Sequence, residues 1–274
     1  MICAWKELLA ILPLWLRREV DALGQDTLQE LRLRKDAPAE LVTSKGVRWL
    51  EKNIKEEDLN FCINTASRYS PWACSTTSQG YITAPGGHRI GLCGEAACHN
   101  GEIAAIRQVY SLNIRVARDF PGVAGKIMAQ GSVLIIGPPG WGKTTLLRDL
   151  ARQIAQTDTV AVVDERGELF PSGFQRGKRM DVLLGCPKAP GIDMVLRSMG
   201  PSCIAVDEIT SQQDTQALVH SVGCGVRLLA TAHAISSGDL RNRPVYRPIL
   251  EHRLFDTIVV MTKDKSFYTE RISL

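Results

Sequence analysis

The chain carries the stretch SVLIIGPPGWGKTT at residues 132–145. From Gly137 to Thr144 it matches the P-loop pattern Gly-x-x-x-x-Gly-Lys-Thr, in which backbone amides turn inward around a polyphosphate. The apolar, β-branched run before the loop predicts a buried strand, and the leucines after it recur at helical spacing. A helix that begins here adds the partial positive charge of its N-terminus. The stretch therefore predicts an α/β domain with a nucleoside triphosphate site.

The residues of this loop have separate expected roles. Lys143 can reach the β- and γ-phosphates, and the Thr144 hydroxyl can ligate Mg²⁺. The bulky ring of Trp141 has to point away from the phosphates, and we expect it to face a neighbouring subunit. The residues expected around the nucleotide are Gly137, Pro138, Pro139, Gly140, Trp141, Gly142, Lys143, Thr144 and Thr145.

A second strong signal is CIAVDEI at residues 203–209. Four apolar residues end in two adjacent carboxylates, which is the arrangement required at a strand end beside a P-loop. Asp207 would hold Mg²⁺ through water, and Glu208 would orient and deprotonate the water that attacks the γ-phosphate. The alternative is a strand followed by a solvated acidic turn. The presence of the P-loop favours the functional interpretation.

A third strand also ends in acids, in VAVVDERGEL at residues 160–169. We expect Asp164 and Glu165 to emerge on the same rim of the sheet, near the nucleotide. The alternative is that these charges pair with Arg166 on the surface. The acids also imitate a GTPase motif, but no complete base-reading motif of GTPases follows.

A fourth strand, VRLLATAHA at residues 226–234, ends in Thr231 and His233. A polar residue at that position can sense the γ-phosphate and pass its state to the protein surface. A lone histidine is more often structural, so the pattern alone leaves both interpretations open.

Composition sets only broad limits on function. The 274 residues are 45% apolar, enough for one or two domains, and the net charge of +4 permits a nucleic-acid or anionic-lipid partner without arguing for one. No apolar run is long enough to span a bilayer. The N-terminal run superficially resembles a signal peptide, but Lys6, Glu7 and Pro13 interrupt it. We expect a short helical pair there, which buries Leu8, Leu9, Leu12 and Leu16, and a membrane-surface role is the alternative.

The eight cysteines are dispersed, and most lie within apolar runs. With no export signal, this pattern predicts a reduced cytosolic pool. Cys93, Cys98 and His99 lie close together, but their spacing is not that of a zinc site and no second ligand pair is apparent. We therefore expect no zinc.

The sequence pattern changes near residue 120. Residues 1–120 predict a smaller α+β domain, with a strand–turn–strand at 28–43, a helix at 56–70, a β-hairpin at 80–96 and a strand at 111–120. Residues 121–274 alternate helices with buried strands at 132–136, 159–164, 202–207, 226–231, 257–262 and 267–272. This alternation predicts a RecA/AAA-type P-loop NTPase core with a mainly parallel sheet, closed by an antiparallel hairpin at its edge.

Five segments in this order, GPPGWGKTT, VVDERGEL, CPKAPGIDMVLRSMGP, IAVDEI and ATAHA, resemble the stage III sporulation protein AA family of endospore-forming bacteria. The segments LQELRLRKDAPAEL, GYITAPGGHRIGLCGEA and SLNIRVAR resemble that family's N-terminal half, so the resemblance covers most of the chain. The family is similar in turn to the hexameric ATPases of type II and type IV secretion and pilus systems. Two positions depart from these patterns. Gly167 replaces an expected small hydroxyl residue, and Asp207 replaces the glycine usual in secretion ATPases.

The resemblance implies a cytosolic, Mg-ATP-dependent ATPase at the mother-cell face of a transenvelope complex between mother cell and forespore. It also implies a homo-hexamer that reaches the membrane through a membrane protein of the sporulation channel complex. Asp164 and Glu165 resemble the aspartate box of secretion ATPases, and His233 resembles their histidine box. His233 is therefore expected to sense the nucleotide state.

A motor of this kind completes each site with arginines from a neighbouring subunit. We expect Arg115 and Arg118 to supply them, because they close the N-terminal half just before the ATPase core. Hydrolysis would then change the angle between the two domains about a hinge near residues 121–122.

The main rival is an ATP-dependent nucleic-acid-binding protein with a RecA-like core. Its support is the basic loop at 176–179 and the turn at 86–89, and both are equally explained as solvated turns. A scaffold that binds nucleotide without turnover is a third possibility. The intact pair of Asp207 and Glu208 argues against that scaffold.

Overall fold

The computed structural model describes residues 1–68, 80–99, 101–127, 131–171 and 173–271. The chain separates into two compact units. The first comprises Met1–Asp119 with residues 173–174, and the second comprises Phe120–Pro171 and the chain from Gln175 onward. Each unit has its own sheet, and its hydrophobic residues pack within the unit, on both faces of the sheet in the second unit.

The first unit is built on an antiparallel sheet. Its described strands are β1 Leu28–Arg34, β2 Pro38–Thr43, β3 Gly46–Asn53, β4 Tyr81–Thr83, β5 Arg89–His99 and β6 Glu102–Arg115. Its described helices are α1 Trp5–Ala10, α2 Leu14–Asp21 and α3 Glu56–Ala66. The strand order is β3-β2-β1-β6-β5-β4, and each neighbouring pair runs antiparallel.

The N-terminal helical pair expected from the sequence is confirmed as α1 and α2. Pro13 ends the connection between them and immediately precedes the first residue of α2, where its fixed φ is tolerated. Leu8, Leu12 and Leu16 are fully buried in the core of this unit, and Leu9 packs against that core. No helix in the described part of the chain combines the length and the hydrophobicity needed to cross a bilayer.

The strands of the first unit differ from expectation at two places. The hairpin expected at 80–96 is present as β4 and β5, but β5 continues to His99 and pairs with a β6 that begins at Glu102. The strand expected at 111–120 is therefore the end of β6, which stops at Arg115. Strand β3 was not predicted, because it lies at the sheet edge and buries only Leu50, which leaves no apolar alternation to detect.

The second unit is built on a mainly parallel sheet with helices packed on both of its faces. Its described strands are β7 Val133–Ile136, β8 Val160–Asp164, β9 Met180–Leu184, β10 Cys203–Val206, β11 Arg227–Ala232, β12 Thr257–Met261 and β13 Phe267–Arg271. Its described helices are α4 Lys143–Ile154, α5 Lys188–Met199, α6 Gln212–Gly223, α7 Ser237–Asn242 and α8 Arg247–Glu251. The strand order is β13-β12-β7-β11-β10-β8-β9, and only β13 runs antiparallel to its neighbour.

Alternate residues of these strands enter different cores on the two faces of the sheet. Leu134 and Ile136 of β7 belong to one core, together with apolar residues of α5 and α6. Val133 and Ile135 belong to the other, together with the leucines of α4. Burial on both faces explains why these strands appear in the sequence as continuous apolar runs.

The fold class predicted from the sequence is confirmed. All six strands expected after residue 131 are present within about two residues of their predicted bounds, a typical error at element ends. The final pair forms the antiparallel hairpin that we expected at the edge. Strand β9 was missed, because it lies at the opposite edge and its residues are only partly buried.

His88 gives the first unit a pH-dependent stability. The ring is fully buried, Nε2 donates to the Ala4 carbonyl at 2.9 Å, and Nδ1 accepts from the Ala117 amide at 3.1 Å. Burial lowers the pKa of His88 from its usual 6.5, so the unfolded chain takes up a proton before the folded chain does. The neutral ring therefore contributes fully above pH 6.5, and this contribution is lost as the pH falls below that value.

We predict that acidification from about pH 7.5 to about pH 5.5 destabilises the wild-type chain more than the His88→Gln variant, by up to about 1.4 kcal/mol per pH unit. Urea unfolding at both pH values measures this difference. The exposed His252 provides the control, since His252→Gln should keep the wild-type dependence. An identical loss of stability in wild type and His88→Gln would contradict the assignment.

Candidate active site

The P-loop connects the end of β7 to the start of α4. Gly140 and Gly142 have φ values of 78° and 95°, in the left-handed region that side chains rarely adopt. A Cβ on Gly137 would lie 2.9 Å from the Cβ of Met261, so this position has no room for a side chain. Helix α4 begins at Lys143, and the amides of its first turn are free of helical partners. The loop therefore has the form of an anion-binding helix start.

Lys143 donates hydrogen bonds to three acceptors of its own chain. Its Nζ lies 2.8 Å from the Gly137 carbonyl, 3.1 Å from the Pro138 carbonyl and 3.1 Å from Nδ1 of His233. Burial lowers the pKa of Lys143, and the nearby carboxylates of Asp207 and Glu208 oppose that effect. Because an ammonium group can only donate, Nδ1 of His233 is the acceptor and carries no proton.

The carboxylate of Asp207 lies beside the P-loop threonine. Thr144 Oγ1 donates to Asp207 Oδ2 at 2.9 Å, and Thr231 Oγ1 donates to Asp207 Oδ1 at 2.6 Å. A carboxylate and a hydroxyl at this separation are the oxygen ligands that Mg²⁺ uses beside bound phosphates. Thr144 and Asp207 therefore fit the metal-binding role expected from the sequence.

Glu208 follows Asp207 and is held on both of its carboxylate oxygens. His233 Nε2 lies 3.0 Å from Oε1, and Arg166 Nη1 lies 3.3 Å from Oε2. Since Nδ1 of His233 accepts from Lys143, Nε2 carries the ring proton and donates it to Glu208. Arg166 was expected to pair with Asp164 or Glu165 if those acids were only surface charges. It pairs with Glu208 instead.

One open cleft of about 620 Å³ collects these groups. Its polar lining consists of Gly140, Gly142, Lys143, Thr144, Thr145, Glu168, Asp207, Glu208, Thr231, His233 and Lys265. Its apolar lining consists of Phe120, Val123, Pro139, Leu146, Met261 and Phe267. The cleft therefore joins a phosphate-binding end to an apolar wall. The sequence did not predict Glu168, Lys265 or the apolar lining other than Pro139, because no motif links such distant residues.

Asp164 and Glu165 do not line this cleft. Both carboxylate oxygens of Asp164 accept from backbone amides, at 2.9 Å each, from Glu168, Leu169 and Phe170. Burial raises the pKa of Asp164, and these three amides act in the opposite direction. Arg148 of α4 donates to the carbonyls of the same segment, so the segment is held from both sides.

The side chain of Glu165 forms an ion pair with the buried Lys188 at the start of α5. Asp164 and Glu165 are thus engaged with structural partners rather than with the cleft. Gly167 lies in the same turn with φ of 67°, which favours glycine over the hydroxyl residue expected there. Asp164 instead positions the segment that carries Glu168 into the cleft.

Trp141 occupies a different place from the one expected. Its ring packs against the core formed by one face of the sheet and α4 in its own chain. That core includes Leu146 and Leu147 of the helix that follows the loop. The bulk of Trp141 is therefore partly accommodated within its own subunit. The contact with a neighbouring subunit stays a prediction.

The two arginines expected to act between subunits belong to the first unit. Arg118 Nη2 donates to the Gln25 carbonyl at 2.9 Å and also to the Leu28 carbonyl. Arg115 Nε lies 3.5 Å from Glu30 Oε1, and its side chain is 63% exposed. Arg118 therefore has a structural role in its own unit, whereas the ion pair of Arg115 leaves most of the Arg115 side chain exposed.

Two of the basic residues that would support nucleic-acid binding have partners in their own chain. Arg89 lies over the ring of Tyr81, 4.0 Å from its centroid. Arg179 donates to the Thr157 carbonyl. Both contacts agree with the interpretation of these segments as turns.

A P-loop between a buried parallel strand and a helix, with acids at the end of another parallel strand of the same sheet, defines the P-loop NTPase class of α/β proteins. The chain belongs to the family described as sporulation stage III, protein AA, whose match covers residues 5–270. It is 38% identical over 258 residues to the stage III sporulation protein AA of Bacillus subtilis (strain 168), a match that spans 87% of this chain and 83% of that protein. The family resemblance inferred from the motifs is thereby confirmed.

Two solved structures share this fold. The pilus retraction motor PilT with bound ADP has a TM-score of 0.64 at 13% identity, over 95% of this chain and 78% of that one. The ATPase DotB of Legionella pneumophila has a TM-score of 0.60 at 16% identity, over 95% of this chain and 80% of that one. The expected likeness to ATPases of secretion and pilus systems is confirmed at the level of the fold.

The contacts of Asp164 predict a loss of stability on its replacement. In Asp164→Ala, two buried amides and one partly buried amide lose their acceptor, and we expect a destabilisation of about 3 kcal/mol. Asp181→Asn, at an exposed position of β9, should remain within about 0.5 kcal/mol of wild type. Urea unfolding of the full chain measures both values. If Asp164→Ala were as stable as wild type and lost only activity, the direct catalytic role expected from the sequence would be favoured instead.

Proposed function

We propose that this chain is a Mg²⁺-dependent ATPase that works as an oligomeric motor in a secretion-like sporulation complex. The observation that carries the proposal is the meeting of Lys143, Thr144, Asp207 and Glu208 in one cleft. A lysine for the phosphates, a hydroxyl–carboxylate pair for the metal and a second carboxylate for water are the parts that phosphoanhydride hydrolysis requires.

In the proposed reaction, Glu208 accepts a proton from the attacking water. The water oxygen forms a bond to the γ-phosphorus while the bond from that phosphorus to the bridging β–γ oxygen breaks. ADP departs with the electron pair, and inorganic phosphate is the second product. Lys143 neutralises charge on the phosphate oxygens. When bound between Thr144 and Asp207, directly or through water, Mg²⁺ would neutralise further charge on the phosphates.

His233 is proposed to report the state of the nucleotide. It accepts from Lys143 through Nδ1 and donates to Glu208 through Nε2, so it contacts both the phosphate-binding lysine and the proposed base. A phosphate that draws Lys143 away removes one of these two bonds. The ring is then free to reorient, and this change can be transmitted to residues that follow β11.

The apolar wall of the cleft suits the nucleobase. Phe120, Val123 and Phe267 offer flat or branched apolar surface beside the phosphate-binding end. An aromatic side chain gains from stacking on a base, as it does in other base-binding sites. These residues support ATP, rather than inorganic polyphosphate, as the ligand.

The cellular setting is proposed from the family and the fold. Membership in a sporulation family and the likeness to the pilus retraction motor PilT support a homo-hexameric motor. We place it in the mother-cell cytoplasm, at the membrane through a membrane protein of the sporulation channel complex.

The proposed hinge is limited by contacts of the segment that follows it. The backbone amides of Gly122 and Ala124 donate to the Asp149 carboxylate of α4, at 3.0 Å and 2.8 Å. The proposed hinge therefore lies at or before Gly122.

Glu208→Gln tests the proposed base. We expect this variant to bind ATP with nearly wild-type affinity and to hydrolyse it at least about a hundredfold more slowly, because an amide cannot take the proton of water. Steady-state phosphate release and fluorescent-nucleotide binding measure the two effects. Lys143→Ala serves as the blank, since it should weaken binding itself. Undiminished turnover in Glu208→Gln would remove Glu208 from the mechanism.

A shared active site predicts a concentration-dependent rate. The specific ATPase activity should rise with protein concentration, and Arg115→Ala should lower the plateau by at least about a hundredfold if Arg115 acts between subunits. Arg32→Ala is the matched control, because Arg32 pairs with the same Glu30. A constant non-zero rate would indicate sites complete in one chain, and a wild-type plateau in Arg115→Ala would exclude this arginine.

A further inference from the structure

Thr231 lies between the strand that leads into the P-loop and the strand that leads to the acids. It belongs to β11, whose neighbours in the sheet are β7 and β10. The register places Thr231 beside Ile135 of β7, and it places Ala230 beside Val206 at the end of β10. The side chain is fully buried. Its hydroxyl is therefore shielded from water and depends on partners within the protein.

The directions of the hydrogen bonds around this hydroxyl are determined by its single proton. The amide of Glu208 donates to Thr231 Oγ1 at 2.8 Å. The hydroxyl proton then goes to Asp207 Oδ1, which lies 2.6 Å away. The carbonyl of the same threonine accepts from the Ile209 amide at 2.9 Å. One residue thus contacts three consecutive residues, 207–209.

These bonds hold an unfavourable backbone conformation. Glu208 has φ of 43°, in the left-handed region, which costs a residue with a Cβ about 1–2 kcal/mol. The amides of Glu208 and Ile209, on both sides of this strained position, donate to Thr231. From the resulting turn, the Glu208 side chain reaches His233 and Arg166. The direction of the proposed base therefore depends on contacts to Thr231.

The same hydroxyl orients the carboxylate of Asp207. With Oδ1 engaged by Thr231, the other oxygen, Oδ2, faces Thr144 of the P-loop. A rotated carboxylate would separate the two oxygen ligands proposed for Mg²⁺. Thr231 therefore acts on both acids through a single buried oxygen.

We propose that Thr231 is a positioning residue for hydrolysis, one whose hydroxyl sets Asp207 and Glu208 in their working geometry. This inference rests on the proposed ATPase function. Because its only proton is given to Asp207, the threonine does not act on the phosphates itself. Its effect passes through the two carboxylates, and a misplacement of about 1 Å at such groups can cost about a hundredfold in rate.

Thr231→Val tests the inference, because valine has nearly the same shape but neither donates nor accepts. We expect kcat to fall by at least about thirtyfold, with the Mg²⁺ concentration for half-maximal nucleotide binding raised several-fold. Binding of a fluorescent nucleotide without Mg²⁺ should change by less than about threefold, since the P-loop is intact. Thr231→Ser restores the hydroxyl and should recover kcat to within about threefold of wild type.

Thr215→Val is the matched control. Thr215 is equally buried in the same unit, and its hydroxyl shares its one proton between the backbone carbonyls of Ser211 and Val245, away from the cleft. Its kcat and its Mg²⁺ dependence should stay near wild type. If Thr231→Val fails to fold, the comparison of Thr231→Ala with Thr231→Ser isolates the same hydroxyl in a smaller side chain.

The outcomes separate this inference from the proposed function. Wild-type kcat and Mg²⁺ dependence in Thr231→Val would overturn the positioning role while leaving the ATPase in place. Equal losses in the serine and valine variants would also overturn it, because the hydroxyl would then not be the cause. A wild-type chain with no ATP hydrolysis at any concentration would overturn the proposed function. In that case an unchanged Mg²⁺ dependence of nucleotide binding in Thr231→Val would independently overturn the role of Thr231.

Discussion

The chemistry of the cleft depends on one junction, the Asp207 carboxylate that accepts from Thr144 on one side and from Thr231 on the other. The junction exists because β7, β11 and β10 are parallel neighbours, so their carboxyl ends reach the same edge of the sheet. Glu208 and His233 follow the same two strand ends and meet beside it. The order and register of the parallel strands therefore bring these residues to one edge of the sheet, and hydrogen bonds between their side chains fix the geometry of the site.

Much of this arrangement could be predicted, because buried parallel strands are recognisable in the sequence as continuous apolar runs. Each strand of the second sheet that is covered on both faces appears as a continuous apolar run, and the runs of β8, β10 and β11 end in the polar residues expected near the nucleotide. A parallel sheet brings such ends together, so the proximity of Asp207, Glu208 and Lys143 could be expected without coordinates. The P-loop added the position of the helix that follows.

The rest depends on contacts that no local pattern encodes. Asp164 and Asp207 both follow an apolar run, so they look alike in the sequence. In the structure, Asp164 accepts hydrogen bonds from backbone amides of the turn that follows it, whereas Asp207 lines the cleft. Edge strands β3 and β9 lack the two-sided burial that makes a strand visible. The apolar wall combines Phe120 with Phe267, which are far apart in the chain, so only the fold could reveal it.

Lys143 offers all three of its N–H protons to groups of its own chain. A phosphate that binds here has to compete with two carbonyls and an imidazole, and a departing phosphate leaves the lysine with partners to return to. Since an unpaired buried ammonium is costly, these partners lower the free energy needed for product departure. Product departure rather than chemistry limits the cycle of many enzymes. In the proposed ATPase cycle, competition from these three acceptors would therefore speed the exchange of ADP for ATP.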